Sequence, residues 1–376
     1  MSIFRDVREQ AIANKHKREE GKDLVIPWLN FPKLSTVIPG VQRERYVIIT
    51  SGPKSGKSQL TDTLYVMEPI NYLLKNPNTN LDVEIHFFTL EMSKEAKIKQ
   101  LIANKIYIET GKIISSENLD SLYRNYILED EIAVELFTES YEKWFDFLES
   151  HVTYIDNVRN PTGIYFHMRE VARKNGKFFY KGKEVIIPES ANWSQSQYQY
   201  DDYIPNNPDK FIICIVDHVG LLTPEDKRDL EGTIDLFSNT YAIKLRDKFR
   251  QTIITVQQQN LGAEDQVFSQ GKLVIAKVKP RHSSLGDSKK PSRDCNQIIS
   301  LFNPSRFSIP EYPEKNGYDV TKWKDHYREL SILLSRNGGG SIDLDLYFNG
   351  AVNYFEELPS PEKFKKDPNL YKKYLG

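Results

Sequence analysis

The sequence predicts an α/β fold: a mainly parallel central sheet flanked by helices, with a β-hairpin near the C-terminus. Three observations carry this. Short apolar, β-branched runs alternate with amphipathic stretches of helical spacing along most of the chain. One such run, Val47 to Ile49, enters a Gly-rich turn and leaves as a helix from Gln59, which is the context of a phosphate-binding loop. Other runs end in polar residues, Glu91, Asp217 and Gln258. In sheets of this kind ligands bind beyond the carboxyl ends of the strands.

Size and composition fit that class. The chain has 376 residues and a net charge of -1, with 39% hydrophobic and 27% charged residues. This is an ordinary globular composition, enough for one large domain with additions. No apolar run approaches the length of a membrane span, and the N-terminus has no apolar signal core. Two cysteines, Cys214 and Cys295, fit a reducing compartment and offer no metal cluster, so a cytoplasmic location is expected. A net charge near zero confines any nucleic-acid contact to a local basic patch.

The expected organisation is an N-terminal helical arm over 1–24, one main α/β domain over 25–358 and a charged C-terminal tail over 359–376. Phe4, Val7, Ala11 and Ile12 form a thin apolar stripe on a charged helix that Gly21 ends. It is either a frayed terminus or an arm that docks on a neighbouring subunit. Residues 25 to 45 read as loop. The strand at 47–49 and the helix after it follow, then a polar turn, Asn76 to Asn80, and a strand from Val83 to Leu90. A helix runs from Lys94 to about Ile108. Residues 117–150 read as helices anchored by Leu119, Leu122, Tyr126, Leu136, Trp144, Phe145 and Leu148. Val152 to Ile155 is a strand, and Pro161 opens a helix to about 174. Residues 176–209 break the pattern, with a hairpin around Lys181-Gly182 and then a Tyr- and Gln-rich loop, a surface insertion. Phe211 to Val216 is an apolar strand closed by Asp217, a helix covers 232–249, and Thr252 to Val256 is a strand. A long polar segment over 261–296 precedes strands at 297–302, 330–334 and 344–348. The last two flank the turn Arg336-Asn337-Gly338-Gly339-Gly340.

The chemistry sits at the strand ends. In Ser51-Gly52-Pro53-Lys54-Ser55-Gly56-Lys57-Ser58, Gly52 and Gly56 let the backbone aim N–H groups at phosphate oxygens. The helix N-terminus, with Gln59 in its first turn, adds partial positive charge there. Lys57 is placed for the β and γ phosphates of ATP, and the Ser58 hydroxyl for Mg²⁺. Ser51 stands where the usual pattern has its first Gly. Asp217 is placed to hold Mg²⁺ or its waters, or else caps a turn. Glu91 is placed to orient and deprotonate an attacking water, or else is a surface carboxylate before a helix. Gln258 is placed to sense the γ-phosphate through its amide, or else is one polar residue of a Gln-rich turn.

The order of these motifs resembles the ATPase domain of DnaB-like replicative helicases, in the RecA-like P-loop group. That family's phosphate loop often has a small residue in place of the first Gly, as Ser51 is here. Phe88-Thr89-Leu90-Glu91-Met92-Ser93 resembles its SLEM motif, whose Glu is the catalytic base. Ile215-Val216-Asp217-His218-Val219-Gly220 resembles its Walker B segment, with His218 and Gly220 as departures. Gln257-Gln258-Gln259-Asn260 is similar to its SQLN sensor, and Ser292-Arg293-Asp294-Cys295-Asn296 to a degenerate QDAD motif. Ser335-Arg336-Asn337-Gly338 resembles KQRNG, whose Arg reaches into the next subunit's site; the usual Lys two residues earlier is Leu334. The match spans about 30–356 and implies a RecA-like ATPase domain without the family's helical N-terminal domain or a primase domain. The compact form and the Lys-, Asn- and Tyr-rich usage suit a phage protein acting in the host cytoplasm.

Lys272, Lys277, Lys279, Arg281, Lys289, Lys290 and Arg293 face Asp287 alone over 272–293. This is the local basic patch the composition requires, either a DNA contact or a solvated charged loop. The resembled family places a loop facing the ring's channel there, which implies sequence-independent contact with single-stranded DNA. The resulting expectation is a DNA-stimulated ATPase of a hexameric replicative helicase, with a primase or loader as further partner. The alternatives are a RecA- or RadA-type recombinase filament and a non-catalytic ATP-dependent loading protein. The turn at 335–338 favours the helicase over the recombinase, and Glu91 with Arg336 favours an enzyme over a loader.

Overall fold

A computed structural model describes residues 3–375 apart from 125, 261–265, 267, 270–271, 314–315, 337–339 and 368. Nine strands form the central sheet: β1 (Tyr46–Ser51), β2 (Asp82–Thr89), β3 (Val152–Ile155), β4 (Lys210–Asp217), β5 (Thr252–Gln258), β6 (Gln297–Phe302), β7 (Tyr327–Ser335), β8 (Asp343–Asn349) and β9 (Tyr354–Glu357). Their order is β9-β8-β7-β6-β1-β5-β4-β2-β3. From β3 to β6 every pairing is parallel, and β7, β8 and β9 add antiparallel strands at one edge.

The apolar runs explain themselves through burial on both faces. Val47, Ile49, Ile85, Phe87, Ile213, Ile215 and Ile254 pack on one side. Tyr46, Ile48, Phe88, Ile212, Cys214, Val216 and Ile253 pack on the other. Both cysteines are buried thiols. The parallel register brings Ser51, Thr89, Asp217 and Gln258 to a single edge: Thr89 pairs with Asp217, and Ser51 with Gln258.

The helix after β1 runs over 57–75, as α2 (Lys57–Asp62), a π turn (Thr63–Met67) and α3 (Glu68–Lys75). It begins at Lys57, two residues before the sequence expectation. α4 (Lys94–Thr110) is capped by Ser93, whose Oγ accepts from the Ala96 N–H. The arm is α1 (Ile3–Glu19), with Phe4, Val7 and Ile12 exposed. Among the described residues, no helix is long and apolar enough to cross a membrane.

Tertiary structure departs from the sequence reading in three places. The hairpin around Lys181-Gly182 is present, Gly176–Tyr180 pairing with Lys183–Val185, but the stretch after it is more than a loop. Asp202–Pro205 returns as a third strand beside Gly176–Tyr180, because Tyr203, Trp193 and Tyr200 gather around the buried Phe178. The segment read as a charged tail forms two helices, Pro361–Lys366 and Leu370–Leu375. Their Phe364 and Tyr374 are buried against Trp323 and Tyr347, which explains why this charged stretch is ordered. Leu122, read as an anchor, is exposed in an irregular stretch between the helices Ser116–Leu119 and Asp130–Glu135. The turn residues Asn337, Gly338 and Gly339 lie outside the described residues.

Candidate functional site

The phosphate loop links β1 to α2. Gly56 caps α2 at φ +97°, a left-handed conformation in which a side chain is strained, and an added Cβ would sit 2.9 Å from the Phe348 ring. Lys54 holds the other left-handed position at φ +55°, whereas Gly52, expected to supply such freedom, has no positive φ. Ser51 is buried, with its hydroxyl donating to the Gly52 carbonyl.

Lys57 is nearly buried. Burial pushes its ammonium down from its ordinary value, while Glu91 and Asp217 act to hold it up. Ser58 Oγ donates to Asp217 Oδ1 at 2.9 Å. A hydroxyl and a carboxylate are the hard oxygen donors Mg²⁺ takes, so this pair fits the ion a nucleotide triphosphate brings. Glu91, half-exposed at the mouth of the site, has its Oε2 3.9 Å from Nε2 of His218. Burial and the nearby Lys57 charge push His218 down, so its ring is neutral at pH 7. Gln257 and Gln259 use their amides on the carbonyls of Gly286 and Ser288 and on Thr50 Oγ1. Gln258, beside Ser51 in register, is half-buried and makes no side-chain hydrogen bond among the described residues. Thus Lys57, Ser58, Glu91, Asp217 and Gln258 share one edge.

Two supports had no sequence signal. Arg328 is fully buried and donates from Nε to the Ser55 carbonyl at 2.8 Å, with Asp325 3.0 Å from its other end. Burial pushes its pKa down to about 10 against the pull of Asp325. It braces the phosphate loop from β7, 273 residues away in sequence, a pairing no local pattern could reveal. Lys97 on α4 is also buried and meets Asp62 and Asp217. Burial acts to lower its pKa, but the two carboxylates outweigh that and raise it.

Arg336 lies elsewhere. Gln297 pairs with both Val47 and Ser335, so the end of β7 sits at the amino end of β1. The phosphate loop starts beyond the other end, roughly 13 Å further along the strands. Arg336 donates to the carbonyls of Ser292 (3.4 Å) and Arg293 (2.7 Å). The Ser292–Asn296 stretch is therefore beside Arg336, not beside the phosphate loop. Leu334, at the position of the family's second cation, packs against the core.

The basic patch is partly neutralised. Lys279 Nζ lies 2.6 Å from Glu329 and 3.1 Å from Asp343. Lys290 pairs with Asp235 and is 3.9 Å from Glu231. Those acids come from β7, β8 and the helix Leu230–Leu236, so counting charge along 272–293 overstated it. Lys279 is a correction: it belongs to a half-buried ion-pair cluster rather than to an open cationic loop. Lys277, Lys289 and Arg293 are exposed. Arg281 is half-buried and donates to the Lys277 carbonyl. The side chain of Lys272 lies outside the described residues.

No protein-family model and no curated protein sequence matches the chain. Solved structures do. One, described as "ATPase Domain of G40P", superimposes with a TM-score of 0.59 at 18% identity, covering 93% of this chain and 98% of that one. Another, described as "The Structure Of A DnaB-Like Replicative Helicase And Its Interactions With Primase", gives 0.62 at 17% identity, covering 93% and 68%. The chain therefore shares the fold of these domains, a mostly parallel sheet flanked by helices.

Proposed function

From that fold, we propose that the chain is the ATPase of a ring-forming replicative DNA helicase that moves on single-stranded DNA. The observation that carries the reading is the convergence of Lys57, Ser58, Glu91, Asp217 and Gln258 on one sheet edge while Arg336 occupies the opposite edge. A site so built has Lys57 for the γ-phosphate but no arginine finger unless a second subunit supplies one. Exposed apolar residues support assembly: Phe4, Val7 and Ile12 on α1, and Ile113, Ile127, Val134 and Phe137 beyond α4. The hexamer, the phage origin, a host-cytoplasmic location and a primase or loader partner belong to the same proposal.

In this reading Ser58 and Asp217 would hold Mg²⁺, which when bound would offset the negative charge of the phosphates. Lys57 and the loop N–H groups bind the phosphates. Glu91 takes the proton of the attacking water, and neutral His218 beside it leaves that carboxylate free to do so. Glu91→Gln should bind Mg²⁺ and ATP normally yet lose hydrolysis, because an amide cannot accept the proton. Nucleotide binding and single-stranded-DNA-stimulated phosphate release, measured on the same preparation, check this. An unchanged rate in a folded variant refutes Glu91 as the base.

DNA contact rests on the exposed cations. Replacing Lys277, Lys289 and Arg293 together with Gln should weaken single-stranded DNA binding uniformly across sequences. The slope of log affinity against log salt should flatten by roughly 0.7 per lost phosphate contact. Replacing Lys279 should instead destabilise the fold, since Glu329 would be left buried without its cation. Binding titrations at several salt concentrations, with thermal melts, separate the two.

A further inference from the structure

Lys97 lies six residues after Glu91 in the first turns of α4, and its side chain is 1% exposed. Its Nζ is 3.2 and 3.1 Å from the two oxygens of Asp62 and 3.2 Å from Oδ2 of Asp217. The other Asp217 oxygen accepts from Ser58. Asp62 also accepts from Asn353 at 3.4 Å, and the Phe87 ring lies 4.7 Å from the ammonium. Three charges have therefore been taken out of water beside the metal pair.

Stability does not account for this. Taking ions out of water is expensive, and apolar residues of similar volume often hold such a place at least as well. Lys97 and Asp62 face each other from α4 and α2, so an apolar pair would serve packing alone. The remaining member, Asp217, is the carboxylate that meets Ser58.

We propose that Lys97 is a positioning residue of the metal site. Its ammonium stands between Asp62 and Asp217, in the place a divalent cation would otherwise take. It engages one Asp217 oxygen, leaves the other for Ser58, and offsets the carboxylate charge. A divalent ion then finds too few oxygen donors on the protein alone and is held only with the triphosphate that supplies the rest. The same contact ties α4, and hence Glu91 ahead of it, to the phosphate-loop helix. The inference rests on reading Ser58 and Asp217 as the metal pair.

The test uses Mn²⁺ as probe, with the full chain and no nucleotide. The wild type should show no tight Mn²⁺ site by paramagnetic resonance. Lys97→Met should acquire one, roughly tenfold or more tighter than any wild-type binding, because Asp62 and Asp217 lose their built-in cation. A second variant, Lys97→Met with Asp62→Asn, removes one charge of each sign, so the cluster's net charge is unchanged and Asp217 keeps its bond from Ser58. It should fold with near-normal denaturant stability and gain no Mn²⁺ site. Its half-saturating Mg²⁺ for binding a non-hydrolysable ATP analogue should rise roughly 10–100-fold, as for loss of a group that orients a metal ligand. If the double variant is folded and needs no more Mg²⁺ than the wild type, Lys97 is structural and the proposal falls. Wild-type-like Mn²⁺ binding by folded Lys97→Met also overturns it. If the wild type binds no Mg²⁺-nucleotide at all, the site reading falls first and this inference with it.

Discussion

Arg336→Ala subunits should fold, bind ATP and assemble, yet hydrolyse about 10³-fold more slowly, the scale for loss of an arginine finger. The register of the sheet is the reason. Arg336 follows β7 at the amino end of β1, while its own phosphate loop leaves the carboxyl end. Nothing short of refolding the sheet brings the two together within one chain. The guanidinium donates to two backbone carbonyls of the 292–293 segment, so removing it leaves no buried charge and the fold should tolerate the change. Steady-state phosphate release and analogue binding on the same sample check the result. A rate near that of the wild type would show that Arg336 completes no site.

Lys57→Ala should also abolish hydrolysis, by at least ~10²-fold, because the γ-phosphate loses its cation within the subunit's own loop. The two losses differ in which subunit carries the fault. An interface with an Arg336→Ala subunit's phosphate loop and a Lys57→Ala subunit's arginine keeps both groups. In a random equal mixture about one interface in four has that composition if the arginine acts in trans. Mixing the variants should therefore restore activity above either alone. Titrating wild type with each variant adds a second readout. A loss steeper than linear means that successive sites must fire in turn, and a linear loss means that they act independently. Co-assembled mixtures with no recovery and a linear titration would place Arg336 outside the site.

The Arg336 case shows what was legible in the sequence and what was not. The phosphate loop, Glu91, Asp217 and Gln258 could be read locally, because each is a polar residue at the end of an apolar run. Their convergence followed from a single rule, that parallel strands share a carboxyl edge. The parallel core and the antiparallel strands at its edge were legible for the same reason, since period and turn residues are local signals.

Other features depend on contacts between distant segments. Arg328 lies outside the strand expected at 330–334, and only the pairing of β6 with β7 puts it beneath Ser55. Nothing in the sequence singles out Lys97, and only packing against α2 and β4 buries it between two carboxylates. The cationic stretch over 272–293 lost Lys279 and Lys290 to acids from three other elements. The tail after Pro359 became two packed helices because Trp323 and Tyr347 offered it an aromatic floor. The sequence by itself determined which residues are proposed for phosphate, metal and water, since that proposal depends on residue type and strand ends. Only the tertiary structure decided which charges are paired and which are available, because a carboxylate a few ångströms away can come from anywhere in the chain.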